Sequence, residues 1–170
     1  MCEKSETSIL LEIDPNSVGS VPNKGKKVPA RVTKVTDGDT IKVLFLHEEK
    51  VPMKISLRID GIDTPELNNR KQDDLELKQL EKEVATLVTD YVKQILFTSD
   101  DTLVKIYIKK WDKYGGRLVA DLFFGNSYMF NLSSHLLEKG FAKPYNGRTK
   151  KIPYTREDLE SMKKKLLSET

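Results

Sequence analysis

Apolar and polar residues alternate over Ala30 to Val35, the period of a strand with one covered face. Asp37-Gly38-Asp39 reads as a turn, and Thr40 to Leu46 resumes a run rich in β-formers, so the two segments predict a hairpin. A third strand, Met53 to Ile59, follows the polar turn His47 to Lys50 and ends at Asp60-Gly61. Between Glu76 and Phe97 the period changes. Leu77, Leu80, Val84, Leu87, Val88, Tyr91, Val92 and Ile95 recur at three and four, the spacing of one buried helical face. Strands return at Thr102 to Lys109 and Arg117 to Phe124, around a turn at Asp112 to Gly116. Leu132 to Lys139 predicts a second helix stopped by Gly140. Thr155 with Asp158 three residues on, just after Pro153, predicts the cap of a third helix reaching about Leu167.

Five short strands, with one helix after the third and two after the fifth, predict an α+β fold: a closed five-stranded barrel of the oligonucleotide-binding (OB) type with three helices packed at its side. Residues 1–27, rich in Ser, Asn, Gly and Pro, read as a flexible N-terminal arm, and 28–170 as the domain. A length of 170 residues suits one domain, and 38% hydrophobic with 32% charged residues excludes a disordered or membrane class. No run approaches the roughly 20 apolar residues of a membrane span, and no secretory leader precedes the domain. The chain as given therefore reads as intracellular, with a trimmed secreted form as the alternative, and as a monomer without a membrane partner. The lone Cys2 excludes an internal disulfide and a structural zinc site. Net charge is only +3, so distribution matters more than total. Residues 24–34 (Lys24, Lys26, Lys27, Arg31, Lys34) and 139–151 (Lys139, Lys143, Arg148, Lys150, Lys151) hold no acid, while acids gather in 73–83. Either a phosphate-facing surface or a solvated lysine edge fits these two stretches.

Asp37-Gly38-Asp39-Thr40 alone is an ordinary hairpin turn. The segment Arg58-Ile59-Asp60-Gly61-Ile62-Asp63-Thr64-Pro65-Glu66 is more informative, since it sets one arginine and three carboxylates at a strand end, and Pro65 holds Thr64 extended. Asp112-Lys113-Tyr114-Gly115-Gly116-Arg117 brings a second arginine to the start of another strand.

In order and spacing these segments, followed by Lys139-Gly140-Phe141-Ala142-Lys143, resemble the staphylococcal nuclease (thermonuclease) family over roughly Val28 to Tyr145. The resemblance implies calcium-dependent hydrolysis of DNA and RNA, single strands preferred, on that same barrel. It implies that Asp39, Asp63 and the Thr64 carbonyl hold Ca²⁺, hard oxygen donors that could also take Mg²⁺. Glu66 resembles the residue that positions or deprotonates the attacking water. Arg58 and Arg117 resemble the two guanidinium groups that clamp the scissile phosphate. Tyr114 and Tyr145 resemble residues lining the nucleotide site, by stacking or by phosphate bonding, with ordinary packing as the other reading. The family reads Tyr-Gly-Arg where this chain reads Tyr114-Gly115-Gly116-Arg117. Counting back from Ala120 restores the pattern, so the extra glycine is expected to be absorbed in the turn; counting from Tyr114 leaves the second clamp missing. A catalytically silent nucleic-acid or protein-binding module on the same barrel is the alternative function. The retention of Asp39, Arg58, Asp63 and Glu66 favours the enzyme.

Overall fold

The computed structural model describes residues 21–47, 51–70, 72–97, 102–113, 115–147 and 152–169. The first twenty residues of the expected arm, Tyr114, and Arg148, Lys150 and Lys151 of the second basic stretch lie outside the described residues. Strands β1 (Lys27–Asp37), β2 (Thr40–Leu46) and β3 (Pro52–Ile59) form an antiparallel meander. Strands β5 (Leu103–Trp111) and β6 (Arg117–Phe124) form a hairpin whose first strand pairs with β1. The ring closes where β3 and β6 run parallel, Ser56 to Ile59 against Arg117 to Ala120. Among the described residues the result is a closed five-stranded mixed barrel with three α-helices. Short strands β4 (Gly61–Asp63) and β8 (Lys143–Tyr145) pair beside it, and β7 (Phe130–Asn131) extends β6.

Strand alternation fills the barrel. Val32, Ile41, Val43, Leu57, Ile59, Ile106, Ile108, Leu118 and Leu122 are all essentially inaccessible, and each such Leu or Ile contributes on the order of 1.5–3 kcal/mol by its burial. Helix α1 (Leu75–Leu96) closes one side with Val84, Val88 and Val92. Its start is set by Asp74, whose carboxylate accepts the Leu77 amide. Helix α2 (Leu132–Lys139) begins at Asn131 and ends as expected at Gly140, in left-handed geometry with φ 74°. There the Phe141 amide returns to the Leu136 carbonyl and seats Phe141 in the core. Helix α3 (Arg156–Ser168) starts in the expected reciprocal box of Thr155 and Asp158 and packs Leu159, Met162 and Leu166 against the core beside α1.

Residues 21–26 lie against the barrel. The Asn23 amide donates to the Leu46 carbonyl, its carbonyl oxygen bonds the His47 ring, and the Gly25 amide donates to Ile108. No helix among the described residues is long and apolar enough to cross a membrane.

Candidate active site

Two turns meet at one end of the barrel. The β1–β2 turn supplies Asp39, and the chain leaving β4 supplies Asp63 and Thr64; these three are 4%, 5% and 2% exposed. Two carboxylates so buried need a counter-charge. Arg58, near the end of β3, provides it: Nη1 meets Asp39, Nη2 lies 2.9 Å from Asp63 Oδ1, and Nη2 also donates to the Ile62 carbonyl. Asp39 also accepts the Thr64 amide at 3.2 Å and the Thr40 hydroxyl at 3.0 Å. Gly38 permits this approach, because a Cβ there would sit 2.7 Å from Val88 Cγ1 and 2.9 Å from the Thr64 side chain. The Thr64 hydroxyl is buried and meets no hydrogen-bond partner among the described residues.

The turn beyond Asp63 is fastened from two directions. Buried Glu81 of α1 accepts the Glu66 amide at 3.2 Å and the Asn69 side chain at 2.9 Å, which fixes the backbone that carries Glu66. Tyr154, just ahead of α3, donates its hydroxyl to the Asp63 carbonyl at 2.7 Å. Burial, followed by the nearby Asp63 charge, pushes that phenol's pKa far above its ordinary value, so it remains a donor throughout the range in which proteins fold.

Beside Arg58 opens a cleft of about 190 Å³, lined among others by Asp60, Trp111, Asp112, Lys113, Val119 and Tyr145. Strand β8 brings Tyr145 there through the Gly61–Tyr145 pair, with the Arg58 guanidinium 5.8 Å from its ring centre. Asp112 binds Arg117 through Nε at 2.9 Å and through Nη2. The pairs Ser56–Arg117 and Arg58–Val119 place both arginines on the outer face of the barrel, because paired residues share a face. Asp60, the remaining strand-end carboxylate, lines the cleft but does not join Asp39 and Asp63 on Arg58: it pairs with Lys109, which also holds Asp121.

The geometry thus joins Asp39, Arg58, Asp63 and Thr64 by direct bonds and sets Tyr145 and Asp112 at the adjoining cleft, while Arg117 is tied to Asp112 and is not among the residues that line it. Glu66 follows on the fastened turn. Glu81, Tyr154 and Trp111 were not anticipated as site residues. A charge at 81, inside the apolar stripe of α1, was a usable signal. The reach of Tyr154 to Asp63 across 91 residues left none.

Two carboxylates converging on one cation, next to a carbonyl, form a hard-oxygen set suited to a calcium ion. No cluster of three or more His, Cys, Asp or Glu residues occurs among the described residues, so water and substrate would have to complete the shell. A cleft lined by Arg58, Lys110 and Lys113 thus lies beside two buried carboxylates at one end of an OB-type barrel. The family model described as staphylococcal nuclease homologue matches residues 56–167, about two thirds of the chain, and the chain belongs to that family. The match takes in Arg58, Asp63, Thr64, Glu66, Arg117 and Tyr145, while Asp39 lies before it. No curated protein matches the chain.

Proposed function

We propose that this chain is a calcium-dependent nuclease that hydrolyses phosphodiester bonds of single-stranded DNA and RNA. The observation that carries the reading is the convergence of Asp39 and Asp63, from separate turns, on the one Arg58 guanidinium at the mouth of a cleft flanked by Tyr145 and Trp111. Asp39, Asp63 and the Thr64 carbonyl would hold the ion. Bound calcium would supply positive charge to a phosphate oxygen and acidify a water.

The remaining chemistry falls to the chain's own groups. Glu66 orients a water and takes its proton as the oxygen attacks phosphorus in line with the leaving oxygen. Charge then gathers on the equatorial oxygens, where planar guanidinium groups such as Arg58 and Arg117 meet two oxygens at once, which a lysine would not. Tyr145 offers a ring against which a base or sugar can rest.

Purified protein incubated with labelled single-stranded DNA should give shortened products with Ca²⁺ and none with a chelator. Tight binding without cleavage at saturating Ca²⁺ would overturn the enzyme and leave a binding module on the same barrel.

A further inference from the structure

The end of β5 remote from the cleft carries apolar groups in the open. Strand β5 enters at Leu103 and leaves at the cleft residue Trp111, and the turn from β6 to β7 stands at the Leu103 end, where Lys105 pairs with Phe123. From Lys105 to Trp111 is roughly 20 Å of strand. In that turn Met129 is 74% and Phe130 52% exposed, and Leu103, on the same face of β5 as Lys105, is exposed as well. The turn holds them there. Ser127 and Tyr128 in succession have φ 55° and 59°, a left-handed backbone rare outside glycine, and the Tyr128 amide donates to the Gly125 carbonyl at 2.9 Å. Gly125 admits the Phe130 ring, since a Cβ there would sit 2.7 Å from Phe130 Cδ2. One side of that ring rests on Gly125 and Phe124, while the rest is left to solvent. A turn needed only to reverse the chain would carry polar residues at 129 and 130.

Cations flank the apolar tip. Lys105 Nζ lies 4.8 Å from the Tyr128 ring centre, and Lys27 Nζ lies 3.8 Å from that of Phe123. Among the described residues neither lysine pairs with a carboxylate. Residues 125–131 contain no acid, and Asp121, the only acid in β5 and β6, is held by Lys109. Because the two ammonium groups cover rings, the face offers positive charge around bare Met129 and Phe130 rather than open rings for bases to stack on. A two-fold pairing with a second copy would set these lysines against their own kind. An apolar tip between cations instead suits a bilayer with anionic headgroups, where side chains of this kind divide between acyl chains and headgroup charge.

We infer that the β6–β7 turn docks the protein on an anionic phospholipid surface, with Met129 and Phe130 entering the boundary between headgroups and acyl chains and Lys27 and Lys105 meeting the headgroups. The contact is peripheral and needs no spanning helix. It departs from the expectation of no membrane partner, which weighed spanning and leader segments alone. It leaves the cleft at the other end of β5 open, and it stands independently of the nuclease reading.

The test is flotation of the full chain, in chelator, with vesicles of phosphatidylcholine alone and with phosphatidylserine added. Binding should require phosphatidylserine and weaken as salt rises. Met129→Ser should weaken it about tenfold, and Met129→Ser/Phe130→Ser about a hundredfold or more, as two apolar side chains cease to leave water. Lys27→Gln/Lys105→Gln should cost on the order of tenfold and flatten the salt dependence. All four positions lie away from the candidate site, so cleavage of a short oligonucleotide should be unchanged. Met129→Trp should be quenched by brominated acyl chains, whereas the parent's single tryptophan, Trp111, should not. Equal binding to phosphatidylcholine alone, parental binding by Met129→Ser, or no quenching of Met129→Trp would each overturn the docking. A dimer in sedimentation that Met129→Ser dissolves, without vesicle binding, would overturn it in favour of a second copy. Lower oligodeoxythymidine affinity in the double lysine variant, with vesicle binding intact, would overturn it in favour of a nucleic-acid surface.

Discussion

At the scale of single residues, Arg58 neutralises both buried carboxylates. Its removal leaves Asp39 and Asp63 without that partner, and breaking a buried ion pair from one side costs about 3–5 kcal/mol. Arg58→Ala should therefore lower the urea midpoint sharply in chelator, and added Ca²⁺ should recover part of the loss. A midpoint equal to the parent's would refute the shared-guanidinium account. Glu66→Gln keeps the side-chain volume and removes the base, so turnover should fall about a hundredfold or more while oligonucleotide affinity is retained. Near-parental turnover would mean that Glu66 has no part in the chemistry. Asp39, Arg58 and Asp63, which the structure joins, lie in short segments that stood out in the sequence through the family resemblance, since Asp37-Gly38-Asp39-Thr40 alone reads as an ordinary turn. Glu81 and Tyr154 support the same turn from α1 and from the start of α3, and nothing local in either segment names its partner.

The elements were legible to within two or three residues where a period or a cap marked them. Helix α2 ends at Gly140 and α3 begins after Thr155 as expected, whereas β4, β7 and β8 have only two or three residues each, too few to show alternation. The β5–β6 turn holds the irregular glycine step. Gly115 and Gly116 both have φ 72°, a backbone that favours glycine, and the Asp112 amide donates to the Arg117 carbonyl, closing the hairpin. Both glycines precede β6, whose register is set by β3 and β5; on the proposed function Arg117 serves as the second clamp. Arg117→Ala should then cost two to three powers of ten in rate, about 3–4 kcal/mol of transition-state stabilisation. Deleting Gly116 should preserve activity. Full activity of Arg117→Ala on single-stranded DNA at saturating Ca²⁺ would remove the second clamp. Helix α2 carries a separate pH dependence. His135 meets the Tyr91 hydroxyl at 2.7 Å, and burial, then Lys139, lowers its pKa from the ordinary 6.5 despite opposing effects of Glu138 and Glu169. The unfolded chain then takes up a proton before the folded one does. The contribution is complete above 6.5 and is lost as pH falls through the lowered folded value. Urea midpoints should decline on acidification below 6.5, and His135→Phe should flatten that decline. The same decline in the variant would assign it elsewhere.

For the whole molecule, closure removes every long edge from the barrel, and the parallel β3–β6 seam that achieves it joins segments far apart in sequence. That seam was foreseen only through the count and order of strands. The bond from Tyr154 to Asp63 is of the same long-range kind. Tyr154→Phe strands a buried carbonyl and should cost about 1–3 kcal/mol in urea unfolding, with reduced cleavage. An unchanged midpoint would make the contact incidental. Its position along the chain has a consequence for synthesis. A ribosome adding about 5–20 residues each second needs on the order of 5–20 seconds to pass from Asp63 to Tyr154, 91 residues later. Throughout that interval the nascent chain holds its carboxylates and its arginine but lacks the last support of the turn that unites them. On the proposed function, a nascent chain halted before Tyr154 should therefore cleave RNA more slowly than one extended past it.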